Sequence, residues 1–239
     1  MIGPSNIKPP DWEKRFTKLA QEASDPRLKD FYQASCVPLS TPVSQVRFLA
    51  LDLETTGLDI KTDAIVSIGF VPMTYNRVIC QGARNWTIRP EQSPESPLAE
   101  IHGITHTHLE TSPGFNDSLS HILKAMAGHI VVAHYCDIER EFLDKACREF
   151  TGETLQFPVV DTMELESRKH PVFRPNVFQR WLGDKPSPSL RLSHSRERYG
   201  LPRYTPHHAL TDALATAELL MAQLADRYLP HTPIGKLWI

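Results

Sequence analysis

Residues 46–58 read VRFLALDLETTGL. From Val46 to Leu53 apolar side chains occupy both alternating sets, the pattern of a strand covered on both faces. Such a strand belongs in the middle of a sheet. Asp52 and Glu54 interrupt the run two residues apart, so both carboxylates project from one face. Two like charges on a buried strand are unfavourable unless a cation lies between them. An all-oxygen donor set favours magnesium or manganese over softer metals. Thr55, Thr56, Gly57 and Leu58 then form a turn whose backbone can come close to a substrate.

Outward from this strand the chain is mixed α/β. AIVSIGFV (64–71) and ARNWTI (83–88) are the next two strands, with turn residues Thr74-Tyr75-Asn76 and Val78 to Gln81 between them. Three strands before any long helix predict an antiparallel meander. A helix follows over 115–126, then a fourth strand, IVVAH (130–134), an amphipathic helix over 138–150 and a short fifth strand, PVVD (158–161). Further helices are expected near 162–168, 189–199 and 209–226. The proline-rich stretch 171–188 is expected to be mostly loop. Upstream, Trp12, Phe16, Leu19, Ala20 and Ala23 fall at helical spacing. Asp25-Pro26 interrupts that helix, and a second short one runs to Phe31 and Tyr32, so residues 1–43 predict a helical extension packed on the main domain. The chain divides into this extension, a domain over 44–228 and a tail over 229–239.

Composition narrows the class. Of 239 residues, 41% are hydrophobic, as in a soluble globular protein. No apolar run reaches ~18 residues, so no membrane span is expected, and the first sixteen residues do not resemble a secretory leader. The four cysteines, Cys36, Cys80, Cys136 and Cys147, form no CxxC pair, which disfavours zinc and fits a reducing, cytoplasmic setting. A net charge of −2 is unusual for a protein that holds nucleic acid by bulk charge. It suits one whose bound cations supply positive charge locally.

DLETTGL (52–58) resembles the first motif of the DEDDh 3′→5′ exonucleases, which include the proofreading epsilon subunit of bacterial DNA polymerase III, ribonuclease T and oligoribonuclease. The resemblance covers roughly residues 46–225. It implies a ribonuclease H-like fold, a five-stranded mixed sheet flanked by helices. Thr55, where oligoribonucleases usually carry Met, leans towards the polymerase-associated branch. HHALTDA (207–213) is similar to the family's H-x-A-x-x-D element, with His207 as the general base and Asp212 as a carboxylate shared with Asp52 around a metal. An unperturbed histidine titrates near ~6.5, suited to taking a proton at neutral pH. His208 is expected to be an ordinary exposed histidine.

The second motif departs from the family. The usual pattern is VAHNAxFDxxFL; this chain has VAHYCDIEREFL (132–143), which places Glu139 at the aspartate's position and leaves Asp137 as a rival. Phe142, Leu143, Ala146, Cys147 and Phe150 define the helix's apolar face. At ~100° per residue Glu139 lies near the middle of that face and Asp137 roughly 150° away. Asp137 has a ready role as the helix N-cap.

The resemblance implies further contacts. IHGIT (101–105) is similar to a segment that holds the terminal nucleotide, so His102 is a candidate substrate contact, with Thr55, Thr56 and Gly57. His134 is expected to support the site without ligating metal. Asp161 is expected to be structural. Arg191 and Arg196–Arg198 are candidate phosphate contacts. The implied activity is two-metal hydrolysis of terminal phosphodiesters, with two Mg2+ or Mn2+ ions held by Asp52, Glu54, Glu139 and Asp212, and release of nucleoside 5′-monophosphates. Single-stranded or frayed DNA 3′ ends are the expected partners. RNA 3′-end trimming and a catalytically inactive scaffold are the alternatives. No clamp-binding string is evident in HTPIGKLWI (231–239), so independent action in repair or turnover is expected, and no polymerase or repair partner is identifiable.

Overall fold

The structure, a computed structural model, describes residues 10–34, 36–91, 106–170 and 188–239. His102 and its HGI segment lie outside the described residues, as does the stretch 171–187.

The decisive strand is central. Strand β1 (Phe48–Thr55) pairs antiparallel with β2 (Ile65–Thr74) on one side and parallel with β5 (Ile130–Ala133) on the other. Strand β6 (Val159–Asp161) continues the parallel half beyond β5. The third position of the meander is broken in two: β3 (Arg77–Val78) and β4 (Arg84–Thr87) both pair with β2, along different parts of it. Pro72 explains the break. Its carbonyl accepts from the Ile79 N–H at 2.9 Å, but it has no N–H to return along that edge. The chain makes one 3-10 turn, Cys80–Gly82, and resumes as β4. The sheet is thus mixed, with five strand positions, flanked by helices.

Helix α1 (Trp12–Glu22) and helix α2 (Pro26–Gln33) form the expected hairpin. Asp25 caps α2 by accepting from the Arg27 N–H, and Pro26 at the first helical position needs no donor partner. The described chain continues with α3 (His106–Thr111), α4 (Phe115–Met126), α5 (Asp137–Thr151), α6 (Thr162–Lys169), α7 (Leu192–Arg198) and α8 (Ala209–Arg227). Helix α2 packs on α4, α4 on α5, and α8 lies across β1 and β2. Among the described residues no helix is long and apolar enough to cross a membrane.

One hydrophobic core runs through the described residues. It joins Trp12, Phe16, Phe31 and Tyr32 of the N-terminal hairpin to the sheet, and also takes in Ile234, Leu237 and Trp238. The entry to β1 is stitched to the far end of the sequence. Val43 N–H donates to Thr232 O at 2.9 Å and Ser44 N–H to Pro230 O at 3.1 Å; Ile234 N–H returns to Thr41 O at 2.9 Å.

Gly69 positions the functional elements. It is the cross-strand partner of Asp52, so the two share a face of the sheet. A β-carbon at Gly69 would collide with the backbone of Ala209 and Leu210. The missing side chain lets the first turn of α8 sit directly on the sheet beside Asp52.

Candidate active site

Three carboxylates meet where β1 ends and α8 begins. Asp52, Glu54 and Asp212 each offer an oxygen, and these oxygens all lie within 4.8 Å of one another. The β1–β2 register shifts between Glu54 and Thr55, just where the strand leaves the sheet. Glu54 is 6% exposed. Asp212 sits in the first turn of α8, which Gly69 admits to the sheet.

Glu139 joins them from the first turn of α5. It is 4% exposed, on the same helix face as buried Phe142, Leu143 and Cys147, while Asp137 is exposed. The helical phase read from the sequence therefore describes the burial of both residues. Glu139 stands outside the 4.8 Å group, yet after burial its charge acts on Asp52 more strongly than that of Asp212 or Glu54. Its Oε2 is buried with no hydrogen-bond partner among the described residues. A buried carboxylate oxygen without a donor is costly, and a cation beside it removes the cost.

The electrostatics of the cluster are strained in the same sense. Burial pushes Asp52 well above the ordinary carboxylate range, reinforced by Glu139, Asp212 and Glu54. Glu54 is pushed up to about 7 by burial and then by Asp212. Glu139 is pushed up to about 8, mainly by burial, with the charges of Asp161 and Asp137 adding to it. Asp52, Glu54 and Glu139 thus all resist ionisation, which is the condition a divalent cation relieves.

His207 precedes α8 in a left-handed conformation, with φ 69°. Asp212 holds it there. The Asp212 Oδ2 accepts from the His207 N–H at 2.7 Å and from the His208 N–H at 3.3 Å. Both imidazoles are on exposed residues, and His208 is the N-cap of α8.

The loop after β1 is braced from within. Thr55 Oγ1 donates to Gly57 O at 2.6 Å. Thr56 Oγ1 donates to Asp63 Oδ1 at 2.9 Å and accepts from the Ala64 N–H at 3.0 Å. Gly57 packs so closely on Asp63 that a β-carbon would collide with its carboxylate. The two threonine hydroxyls shape the loop, together with the Thr56 N–H, which donates to Ala64 O at 2.9 Å.

Several supporting residues lie elsewhere than their sequence suggests. Asp137 is the first residue of α5 and not its N-cap; that position is Cys136, which makes no side-chain cap. Arg196 is 3% exposed and does not face solvent phosphates. It donates to Ala215 O, Pro202 O and Glu218 at 2.6–2.9 Å. Arg198 donates to buried Glu166, with Nε to Oε1 at 2.8 Å. Glu166 also accepts from Tyr199 and Gln223, tying α6, α7 and α8 together. No local pattern marks Glu166 or Glu218 as the partners of these arginines. His134 bridges Thr162 Oγ1 and Leu190 O, each at 2.8 Å, and so links β5 to the start of α6 and to the residues before α7.

Three clustered carboxylates, a fourth buried on α5 and a histidine whose backbone is bonded to Asp212 lie together on a mixed sheet of this order. Residues 49–220 match the RNase T exonuclease family model, and the chain belongs to that family. It is 27% identical over 180 residues to the DNA polymerase III subunit epsilon of Treponema pallidum, covering 75% of this chain and 77% of that protein. It is 28% identical to the PolC-type DNA polymerase III of Thermotoga petrophila and 28% identical to the 3′-5′ exonuclease DinG of Staphylococcus haemolyticus. It covers 73% and 80% of itself in those two matches but spans only 12% and 19% of those longer proteins. Among solved structures, the nuclease domain of 3′hExo, a DEDDh family member bound to rAMP, matches with TM-score 0.61 at 15% identity, covering 75% of this chain and 92% of that one. Exonuclease X in complex with 5′-overhanging duplex DNA matches with TM-score 0.56 at 21% identity, covering 80% and 98%. These likenesses place the fold among the ribonuclease H-like exonucleases.

Proposed function

We propose that this chain hydrolyses terminal phosphodiesters at nucleic-acid 3′ ends, one nucleotide at a time, releasing nucleoside 5′-monophosphates. The observation that carries the reading is the acidic cluster: three carboxylates within 4.8 Å, and a fourth, Glu139, buried beside them with an unpartnered oxygen. That donor set fits hard divalent cations, Mg2+ or Mn2+, two to a site. Bound there, such ions supply Lewis acidity towards the scissile phosphate and make water a better acid.

The chain's own residues do the rest. Asp52, Glu54, Glu139 and Asp212 are the ligand set. His207 accepts the proton of the attacking water; its backbone is already anchored to Asp212, so base and ligand move as a unit. The loop of Thr55, Thr56 and Gly57 walls the terminal nucleotide, and His102 is a further candidate contact. DNA is the favoured substrate, single-stranded or frayed, because the relatives of known name are DNA polymerase subunits and DinG. RNA is the second reading, favoured by the rAMP bound to the structural neighbour 3′hExo.

Initial rates on a 5′-labelled DNA oligonucleotide and on its RNA twin, with manganese and then with chelator, test the proposal. A ladder shortening from the 3′ end, abolished by chelator and faster on DNA, is the expected result. Metal-independent turnover, or none on either substrate, refutes it.

A further inference from the structure

Asp161 ends β6, is 6% exposed, and collects four backbone N–H groups. Two are its own: Oδ1 accepts from Met163 at 2.8 Å and Glu164 at 3.2 Å, the ordinary cap of α6. The other two come from across the sheet. Oδ1 accepts from Tyr135 at 3.1 Å, and Oδ2 accepts from Cys136 at 2.9 Å. These two residues are the turn between β5 and α5, and that turn is unusual. Tyr135 has φ 75°, a left-handed conformation that a bulky side chain rarely adopts. Cys136, the N-cap of α5, offers no capping side chain. The N–H groups at a helix start need partners, and here a carboxylate from a neighbouring strand takes the N-cap N–H of Cys136 and that of Tyr135 before it.

Glu139 lies one helical turn beyond Tyr135. Its inward direction depends on where α5 starts and at what angle it leaves the sheet. We propose that Asp161 is a positioning residue for the acidic cluster: by clamping the Tyr135-Cys136 turn it sets the first turn of α5 and aims Glu139 at Asp52. The clamp matters more in this chain than the turn alone implies. Where the family pattern has asparagine, which tolerates the left-handed region, Tyr135 does not and must be held. The consequence for Glu139 rests on the metal-site reading above; the clamp itself does not.

Asp161→Asn separates the two limbs. Asparagine keeps one acceptor oxygen and caps helices well, so α6 retains its cap. The second oxygen becomes an NH2 group, a donor facing the Cys136 N–H. In the metal-free protein, hydrogen exchange at the Cys136 amide should accelerate about tenfold or more, with the Met163 and Glu164 amides unchanged. Mn2+ affinity, read by water-proton relaxation, should fall about tenfold or more. Adding Tyr135→Gly, which adopts the left-handed turn without a clamp, should recover most of that affinity. Lost negative charge alone would give no such rescue.

Unchanged exchange at Cys136 overturns the clamp. Faster exchange with parental Mn2+ affinity, or a loss that Tyr135→Gly leaves untouched, overturns its link to Glu139. An Asp161→Asn chain that fails to fold overturns the specific role and assigns the carboxylate to the fold as a whole. A parent that binds no Mn2+ refutes the metal-site reading instead, while the exchange comparison still decides the clamp.

Discussion

At the scale of single residues, Glu139 and His207 carry the sharpest expectations. Glu139→Gln keeps the shape and removes the charge, so Mn2+-dependent activity should collapse. Asp137→Asn, on the exposed side of the same turn, should remain active. Activity that follows Asp137 would show that the wrong carboxylate has been chosen. His207→Ala should lower turnover on the order of 10²–10⁴-fold if the imidazole takes the proton. His208→Ala should change it little; equal losses would remove the distinction between them. The burial of Glu139 was legible because helical phase is a local property: Phe142, Leu143 and Cys147 mark the inward face, and Glu139 falls on it. The capping of that helix was not legible. Asp137 stands where a cap is expected, but the Tyr135 and Cys136 N–H groups that lead into the helix are held by Asp161 from another strand, and such a pairing leaves no local mark. Arg196 and Arg198 misled for the same reason. Their partners Glu218 and Glu166 lie on other helices.

At the scale of elements, the seating of α8 on β2 decides whether Asp212 reaches Asp52. Gly69→Ala inserts a methyl group where the Ala209 backbone already lies. Overpacking of this kind typically destabilises by about 1–3 kcal/mol. Here it should also displace the first turn of α8, so Mn2+ affinity should fall along with the melting temperature. A Gly69→Ala protein with parental affinity would mean that the helix can shift without moving its carboxylate. The meander and the parallel half were readable from alternation and apolar runs. The split of the third strand into β3 and β4 was not, because it follows from a missing N–H at Pro72 on the neighbouring strand.

At the scale of the whole molecule, the acidic cluster links stability to pH. Glu54 and Glu139 have folded-state pKa values of about 7 and about 8, above their ordinary value of 4.5. The folded protein therefore binds these protons more tightly than the unfolded chain does. Their contribution to stability is complete below the ordinary value and is lost as pH rises through about 7 and about 8. Metal-free protein should melt at progressively lower temperature between those limits, and saturating Mn2+ should abolish the decline by neutralising the cluster. Calorimetry across that range checks it; a melting point independent of pH and of manganese would count against the site. The last residues are open to a separate test. Ile234, Leu237 and Trp238 share the main core, and Trp238→Ala should destabilise by about 3–5 kcal/mol, measured by urea unfolding.

The stitching of Thr41, Val43 and Ser44 to Pro230, Thr232 and Ile234 bears on how the protein is made. Synthesis runs from the N-terminus, so the approach to β1 leaves the ribosome long before its backbone partners Pro230, Thr232 and Ile234. Local helices can form early, but the lowest edge of the core cannot close until Trp238 has emerged. Contacts this distant in sequence slow folding and lengthen the time for which apolar surface stays uncovered. Until Ile234, Leu237 and Trp238 have been made, the part of the core they complete stays open, and it is during that interval that a chaperone or an aggregate would compete for it.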